Sequence, residues 1–580
     1  MIWYLENLRR YLHEREALEA LASAVDWLVP IGWRIDNSLR LLWDADLLIA
    51  GRTFPISLHY PSHFPHSPPL VLPRGESERW SSHQYGPGGE LCLEHGPDNW
   101  HQDVTGADML LSAHRLLQGE RPSPNEQGIL ASRHYTTLGQ DLRTEFTRFL
   151  VTHALEELVA RIPDGVMLSA NVLGILAEES YVNIVFSVIM PDGEEWFEPT
   201  LPKPLRTLGY KHPVALFRLP ADAPWPSTRS LTAFRGNVAE RGLVFPTVTH
   251  ALLVRGTKIR AYFLSDDSET VNPVSVVSPQ PPAPRLDQSH MTITARKLGI
   301  VGCGSLGSKL ATMLARSGVN NFLLVDDDII FPENLVRNDL DWRDVGRHKA
   351  DGVASRIQLV NPQATCQKRK HRLGGQESGG SIETLIGSLA DCDLMIDTTA
   401  EPSVFNYLCA AATVGKKPLL WTEVFGGGFG GLIARHRPLL EPDPASMRRA
   451  IENWCSDQGR PIERAVNGYG GSPRMPLIAD DADVTVIAAH AARMAIDMLI
   501  PREPSAFPNS VYLIGLAKGW IFEKPFETYP IDVGGPVTPD SQTPLDPEEV
   551  AAEFGRIVKL LKEQQDADSS STQHNRAASS

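Results

Sequence analysis

Residues 297–310 read KLGIVGCGSLGSKL, and this stretch decides the fold of the C-terminal half. Leu298–Val301 is an apolar run. Gly302, Gly304 and Gly307 follow at GxGxxG spacing, and a helical stretch runs on to Ser317. A second apolar run, Phe322–Val325, ends in Asp326. Strand, glycine turn, helix, strand and terminal acid make a nucleotide-binding βαβ unit. The glycines let the backbone turn tightly and approach a phosphate, and the helix N-terminus favours negative charge. Alone, the pattern predicts a dinucleotide. The continuation predicts otherwise: Asn334, Arg337 and Lys349 come next, then Asp397 in LMIDTTA. Two cations and a second acid suit a triphosphate and a metal better than a nicotinamide. Asp327 and Asp328 read as turn residues.

The chain has 580 residues and a formal net charge of −15. Such a length predicts about three or four domains, and the negative charge argues against nonspecific nucleic-acid binding. No apolar run reaches the ~18–20 residues that span a bilayer. The N-terminal MIWYLENLRRYLHEREALEAL is charged and amphipathic, unlike a secretory signal. The six cysteines, at 92, 303, 366, 392, 409 and 455, contain no CxxC pair, so neither a disulfide framework nor an all-cysteine zinc site is expected. A reducing cytoplasm follows as the expected compartment.

Residues 1–30 read as a helix, from leucines near helical spacing. Strand-like segments follow near 31–35, 39–49 and 53–60, then the proline-rich YPSHFPHSPPLVLP (60–73), and helices over Ala107–Leu117 and about 137–161. Short β-like runs fill 165–275 without a chemical motif. SPQPPAPRLDQ (278–288) reads as a linker. VFGGGFGGLIAR (424–435) reads as a strand pair with close backbone approach. Pro547–Lys562 reads as an amphipathic helix, and DADSSSTQHNRAASS as a disordered end. There are no internal repeats.

GCGSLGSKLATMLARSGVNNFLLVDDDIIFPENLVRND, then VGRHK, then LMIDTTAEPSVFN, resembles the adenylation domain of ubiquitin-activating (E1) enzymes and their ThiF/MoeB relatives over roughly 240 residues. The resemblance implies ATP and Mg²⁺ as cofactors. It implies that Gly302, Gly304 and Gly307 form the nucleotide loop and that Asp326 binds the ribose hydroxyls. Asn334 and Arg337 would contact phosphates, Lys349 would neutralise charge as pyrophosphate leaves, and Asp397 would hold Mg²⁺. The chemistry fits independently: a carboxylate attacking an α-phosphate brings two anions together, and fixed cations with a metal stabilise that charge.

Cys92 sits in GGELCLEHGPDNW, after YPSHFPHSPPLVLP and His83, and before Trp100 and the helix near Ala107–Leu117. This order resembles an E2 ubiquitin-conjugating fold over about 1–125, which implies a thiol that accepts an acyl group as a thioester. One departure stands out. The family's HPN motif places Asn two residues after the His, and this chain has Tyr85 there. The oxyanion donor assigned to that Asn is then missing or comes from elsewhere, with Asn99 and His95 as substitutes to consider.

An E1 passes its acyl-adenylate to its own cysteine. Cys455 is the positional candidate, in a stretch read as irregular before the last helix of the domain. Relatives with this architecture carry the thiol just before that helix, where this chain has Ser472. Three readings stay open: Cys455 is the activating thiol, the adenylate passes straight to Cys92, or that step is degenerate.

The expected architecture is therefore α/β and multidomain. An α+β E2-like domain covers 1–135, a mixed α+β middle domain 136–277, a Pro-rich linker 278–290, a Rossmann-like ThiF/E1 adenylation domain 291–540, and a short helix with a disordered tail 541–580. The resemblance extends to prokaryotic E2–E1 fusions found with cyclic-oligonucleotide (CBASS) anti-phage synthases. It implies adenylation of the C-terminal carboxylate of a ubiquitin-like protein or of a cyclic-nucleotide synthase. Thioester transfer to Cys92 and ligation to a target amine would follow. A homodimer is compatible; nucleic acid and membrane are not expected partners. Activation of a sulfur-carrier protein and a non-catalytic nucleotide-binding scaffold are the alternatives.

Overall fold

The structure, a computed structural model, describes residues 2–75, 80–86, 88–120, 137–226, 229–240, 248–279, 286–375, 377–461, 479–500, 502–536 and 546–577. The chain divides into two units, Met1–Glu145 and Phe146–Ser580, each taken here by itself.

The first unit opens with helices α1 (Trp3–Glu6) and α2 (Leu8–Ala24) and continues into an antiparallel meander of β1 (Leu28–Ile35), β2 (Leu41–Ile49), β3 (Arg52–Tyr60) and β4 (Leu70–Pro73). A small hairpin, β5 (Gln84–Tyr85) with β6 (Glu90–Leu91), precedes helix α3 (Gly106–Glu120). Leu18, Trp43, Phe54, Leu58, Leu110 and Leu117 form the core between sheet and helices. Glu14 is buried there. It accepts hydrogen bonds at 2.7 Å from the Tyr60 hydroxyl and the Gly106 N–H, and pairs with Arg10 at 2.7 Å. That network joins α2 to the sheet and to the start of α3. The helix expected over 1–30 stops at Ala24, because Leu28–Ile35 carries the β-branched Val29, Ile31 and Ile35, and Pro30, and pairs with β2.

The second unit begins with a sheet that closes on itself. The first unit ends past α4 (Leu138–Asp141), and the second then runs through β7 (Thr147–Leu150), α5 (His153–Arg161), β8 (Met167–Ala177), β9 (Ser180–Ile189), β10 (Glu195–Phe197), β11 (Tyr210–Arg218), α6 (Leu231–Ala239), β12 (His250–Arg255), β13 (Lys258–Ser265) and β14 (Thr270–Val277). The strand order is β10-β9-β7-β14-β13-β12-β11-β8, and β8 also pairs with β9, which completes a ring. Closure removes the edges that an open sheet would leave unpaired. The single helical stretch expected over 137–161 is split by β7: Phe149 is fully buried in the sheet, and Thr152 then caps α5 by accepting the Leu155 N–H at 3.1 Å. Residues 280–285 of the expected linker lie outside the described residues.

The rest of the unit is a doubly wound α/β domain. Its elements are β15 (Lys297–Val301), α7 (Ser305–Arg316), β16 (Asn321–Val325), α8 (Lys349–Val360), β17 (Thr365–Arg369), α9 (Gly379–Ala390), β18 (Leu394–Asp397), α10 (Pro402–Gly415), β19 (Leu419–Val424), β20 (Gly430–His436), α11 (Pro444–Asp457), α12 (Asp481–Leu499), β21 (Val511–Gly515) and β22 (Thr528–Ile531). Strand order is β17-β16-β15-β18-β19-β20-β21-β22, parallel from β17 through β19 and antiparallel beyond. Leu298, Ile300, Phe322, Leu324, Leu394 and Met395 are all buried, as expected of strands covered on both faces. Chain order reverses between β15 and β18, and ligands of such sheets bind outside the strand carboxyl ends at that point.

Two expectations change here. Of the stretch 451–476, read as irregular, residues 462–476 lie outside the described residues, but its start, through Asp457, belongs to helix α11. Asp443 caps it by accepting the Ser446 N–H at 3.0 Å, Pro444 stands at its first position, and Met447, Ile451 and Cys455 repeat every fourth residue on its buried face. The tail read as disordered continues as helix α13 (Pro547–Ala577), whose sequence has no proline after Pro547 and one glycine, Gly555. Among the described residues no helix is long and apolar enough to cross a membrane.

Candidate functional site

At the carboxyl end of β15 the chain turns through Gly302 with φ at +91°, in the left-handed region that favours glycine. A Cβ there would also lie 2.8 Å from Thr398 Oγ1 and 2.9 Å from Thr399 Cγ2. Gly307, in the first turn of α7, lets the helix pack on the strand; a Cβ at this position would overlap the Gly302 carbonyl oxygen. Gly304 differs. It is the N-cap of α7, no side chain caps the helix, and nothing stands within 4 Å of where its Cβ would be. The loop therefore presents uncapped helix N–H groups to open space. Thr398 Oγ1 fixes the loop from the side, donating toward the carbonyls of Val301 (3.1 Å) and Gly302 (2.8 Å).

That open space is a cleft of about 610 Å³, lined by Gly302, Gly304, Asp326, Asn334, Arg337 and Lys349 among others. Asp326 ends β16 and accepts the Cys303 N–H at 2.6 Å on Oδ2 and the Asp328 N–H at 2.9 Å on Oδ1. Burial raises its carboxyl above the usual range, against the lowering effect of those two bonds. Lys349 begins α8 and pairs through Nζ with Asp328, whose carbonyl accepts the Lys349 N–H at 2.9 Å. Asn334 gives its Oδ1 to the Phe331 N–H at 3.0 Å. Arg337 is half-buried, and among the described residues its guanidinium has no acid and no hydrogen-bond acceptor. An unpaired cation in a concave, partly desolvated site calls for an anionic ligand.

The structure places two of the sequence-derived residues differently. Gly307 packs helix on strand and does not line the cleft. Asp397, 3% exposed at the end of β18, lines a smaller adjoining cavity of about 100 Å³ with Glu423, Arg448 and Trp421, and Glu401 lines both spaces. Asp397 Oδ1 accepts the N–H (2.9 Å) and hydroxyl (2.7 Å) of Thr399, and burial pushes its carboxyl up to about 6. Oδ2 has no hydrogen bond among the described residues. One free carboxylate oxygen beside a phosphate-sized cleft fits a Mg²⁺ ion, which is usually held by one or two carboxylates plus substrate phosphates.

The cleft also contains residues the sequence reading missed. His371, Arg372 and Leu373 follow β17, and Arg372 lies 3.7 Å from Glu401 across the opening. The available signal was positional: they follow the end of a parallel strand, as Asp326 and Asp397 end theirs. Asp328, read as a turn residue, is the partner of Lys349. Asn338 is buried and ties the loop from below, donating to the Cys303 carbonyl at 3.3 Å.

Five cysteines lie in this unit, and burial raises every one of their thiols: Cys303 far up, Cys366 and Cys409 to about 12, Cys392 and Cys455 to about 11. Cys455 is 0% exposed in the core beside Met447, Ile451 and Phe522, so no acyl group reaches its sulfur while α11 stays docked. Ser472 lies outside the described residues.

Cys92, in the first unit, is placed differently. It is half-buried and lines a cleft of about 930 Å³ with His83, Tyr85, Gly86, His95 and Pro97. Its N–H donates to the His83 carbonyl at 2.8 Å, which extends the β5–β6 ladder by one step. His83 is buried, with Nε2 3.9 Å from Glu120. Asn99 is committed to its own loop: Oδ1 accepts the Gly96 N–H at 2.8 Å and Nδ2 donates to the Glu94 carbonyl at 3.1 Å. His95 keeps a buried Nδ1 without a hydrogen-bond partner among the described residues.

Residues 286–438 match the model of the ThiF family. Among similar curated proteins are the uncharacterized protein y4qC of Sinorhizobium fredii (27% identical over 224 residues, 36% of this chain and 38% of that protein), the ATP-dependent ubiquitin transferase-like protein Cap2 of Pseudomonas aeruginosa (28% over 152 residues, 24% and 25%), and the sulfur carrier protein ThiS adenylyltransferase of Escherichia coli (31% over 135 residues, 23% and 50%). The chain spans between a quarter and a half of the length of these relatives. Over residues 286–438 the chain is thus similar to ThiF/E1-like adenylation domains.

Proposed function

We propose that the ThiF/E1-like adenylation domain of this chain activates the C-terminal carboxylate of a partner protein with ATP, and that Cys92 receives the acyl group as a thioester for transfer to an amine. The observation that carries the first step is the half-buried guanidinium of Arg337 in the glycine-loop cleft, unpaired among the described residues. ATP would lie with its phosphates between the α7 N-terminus, Arg337 and Lys349, and its ribose at Asp326. The incoming carboxylate attacks the α-phosphorus, an acyl–phosphate bond forms, and the bond to pyrophosphate breaks. Arg337 and Lys349 stabilise the charge that collects on the departing oxygens. Lys349 exchanges Asp328 for phosphate at that point. Asp397 would hold a Mg²⁺ ion, which would supply further charge neutralisation.

Cys92 is favoured as acceptor because its sulfur lines an open cleft, whereas Cys455 is enclosed in the core. The order of helix, strand meander, hairpin and helix in the first unit supports an E2-type role. The partner is a ubiquitin-like protein or the C-terminus of a cyclic-nucleotide synthase, in a conjugation system of anti-phage defence. Cys455 as an intermediate thiol is not part of this reading. ATP–pyrophosphate exchange with purified candidate partners tests the first step. Exchange is expected with one of them and absent when its terminal carboxylate is amidated. ATP binding without exchange for every candidate favours the scaffold. Sulfur-carrier activation, which the ThiS adenylyltransferase relative suggests, would give exchange without an acyl adduct on Cys92.

A further inference from the structure

The β5–β6 hairpin fixes which side chains accompany Cys92. In its register Gln84 opposes Leu91 and Tyr85 opposes Glu90. Gln84 and Leu91 are buried, 6% and 4% exposed, with Gln84 bonded to the backbone of Trp80, Ser81 and Gly89 and Leu91 in the core. By strand alternation Tyr85, Glu90 and, one step further, Cys92 share the opposite face. Tyr85 and Cys92 are then diagonal cross-strand neighbours, a separation of about 7–8 Å that an aromatic side chain spans. Both line the same cleft, and Tyr85 is 49% exposed. Burial, with smaller effects from Glu90 and Cys92, pushes the phenol up from its ordinary value, so the hydroxyl stays a donor.

Discharge of a Cys92 thioester needs such a donor. The amine nitrogen bonds to the carbonyl carbon and the C=O electron pair moves onto oxygen. The C–S bond then breaks, the sulfur leaves as the Cys92 thiolate, and the nitrogen gives its extra proton to water. The negative oxygen of the tetrahedral intermediate is stabilised by a hydrogen-bond donor already in place. The Cys92 N–H is spent on His83, and the Asn99 amide on its loop. We propose that the Tyr85 hydroxyl is the oxyanion donor of the Cys92 site, a catalytic residue for acyl transfer from that cysteine. The assignment rests on the reading of Cys92 as the acyl acceptor.

The test uses the full chain and a synthetic probe, N-acetyl-diglycine as its mercaptoethanesulfonate thioester. Cys92 is loaded by thioester exchange, the adduct is located by peptide mapping, and discharge to free lysine is timed. Tyr85→Phe keeps the ring and removes only the hydroxyl. It should load Cys92 and discharge about a hundredfold more slowly, the usual effect of losing one oxyanion donor. Alkylation of Cys92 by iodoacetamide forms no oxyanion, so its rate should match wild type and would expose a merely structural defect. Equal discharge rates in wild type and Tyr85→Phe overturn the assignment and leave the acceptor reading standing. So does a loss confined to a His95→Gln comparator. Slowed alkylation in step with slowed discharge assigns Tyr85 to structure and overturns it too. Failure of the wild-type chain to load Cys92 overturns the acceptor reading, and this assignment with it.

Discussion

The Cys303 N–H donates to Asp326 Oδ2 at 2.6 Å, so the glycine loop and the acid that ends the neighbouring strand are one mechanical piece. The carboxylate that would take the ribose also sets the loop that would take the phosphates. Asp326→Ala should therefore weaken ATP binding by more than the ribose contacts alone, because the loop loses its anchor. A fluorescent ribose-modified ATP would underestimate the effect, so competition by unmodified ATP, or calorimetry, is the suitable measurement. A drop of about tenfold or more is expected, from one or two charge-assisted hydrogen bonds at about 1.5–3 kcal/mol each.

The glycines of the loop should separate into two phenotypes. Gly304 has an ordinary φ of −74° and free space around its missing Cβ, so Gly304→Ala should fold normally and lose affinity for ATP, whose phosphates need that space. Gly307→Ala forces a methyl into the Gly302 carbonyl oxygen. It should cost on the order of 3 kcal/mol, at the upper end for overpacking, and show as lost protection of β15 and α7 in hydrogen exchange. Normal folding of Gly307→Ala would mean that α7 can lift off the strand.

Arg337 and Lys349 should differ in kind. Arg337 has no partner among the described residues to release, so Arg337→Ala should lower ATP–pyrophosphate exchange by about 10²–10³-fold without destabilising the chain. Lys349→Ala removes a cation and also strands Asp328 beside the phosphates. The double variant Lys349→Ala/Asp328→Asn should recover part of the loss, because the stranded charge is gone. Additive losses in that cycle would show that Asp328 does not face bound phosphate.

Much of this site was legible because parallel-strand ends announce themselves. Apolar runs ending in Asp326 and Asp397, with glycines after Val301, place groups where a doubly wound sheet collects its ligands. Arg372 was less visible, since it lies just past the edge strand β17 in a basic run that begins at Lys368, where solvated charge is the ordinary reading. Asp328 was hidden because its role depends on a lysine that is distant in sequence and adjacent only through the main-chain bond from Lys349. The helix that carries Cys455 was legible where the stretch was read as irregular. Asp443-Pro444 is a helix start, and Met447, Ile451 and Cys455 at four-residue spacing are a buried helix face. The ring closure of β8 on β9 had no local signal, because strand pairing across the sequence is not written in any one segment.

Cys455→Ala should leave acylation of Cys92 intact. The residue is 0% exposed, and its truncation should cost about 1–2 kcal/mol as a small core cavity, visible as faster exchange in α11. Mass mapping after incubation with ATP and a productive partner checks this. An adduct lost from Cys92 in Cys455→Ala, with α11 still protected, would establish a relay through Cys455 and require that helix to open.

The closed sheet should respond to acid through His250. The residue is 5% exposed, its ring centroid lies 4.6 Å from that of His212 at a tilt of 36°, and it shares a 3.0 Å hydrogen bond with Thr249 Oγ1. Burial, with a smaller effect from His212, pulls its pKa down to about 4, from 6.5 in the unfolded chain. Above pH 6.5 both states are neutral and the residue contributes no pH dependence. As pH falls from 6.5 toward 4 the unfolded state takes up a proton that the folded state refuses, so stability declines over that window, then levels off. The full effect is on the order of 3 kcal/mol, at 1.36 kcal/mol per pKa unit. Hydrogen exchange in β12 and β13, corrected for intrinsic rates, should show protection falling from pH 6.5 to pH 4 in wild type. His250→Gln does not titrate, so its profile should be flatter. An equally steep decline in that variant would move the sensitivity to His212 or to carboxylates elsewhere in the unit.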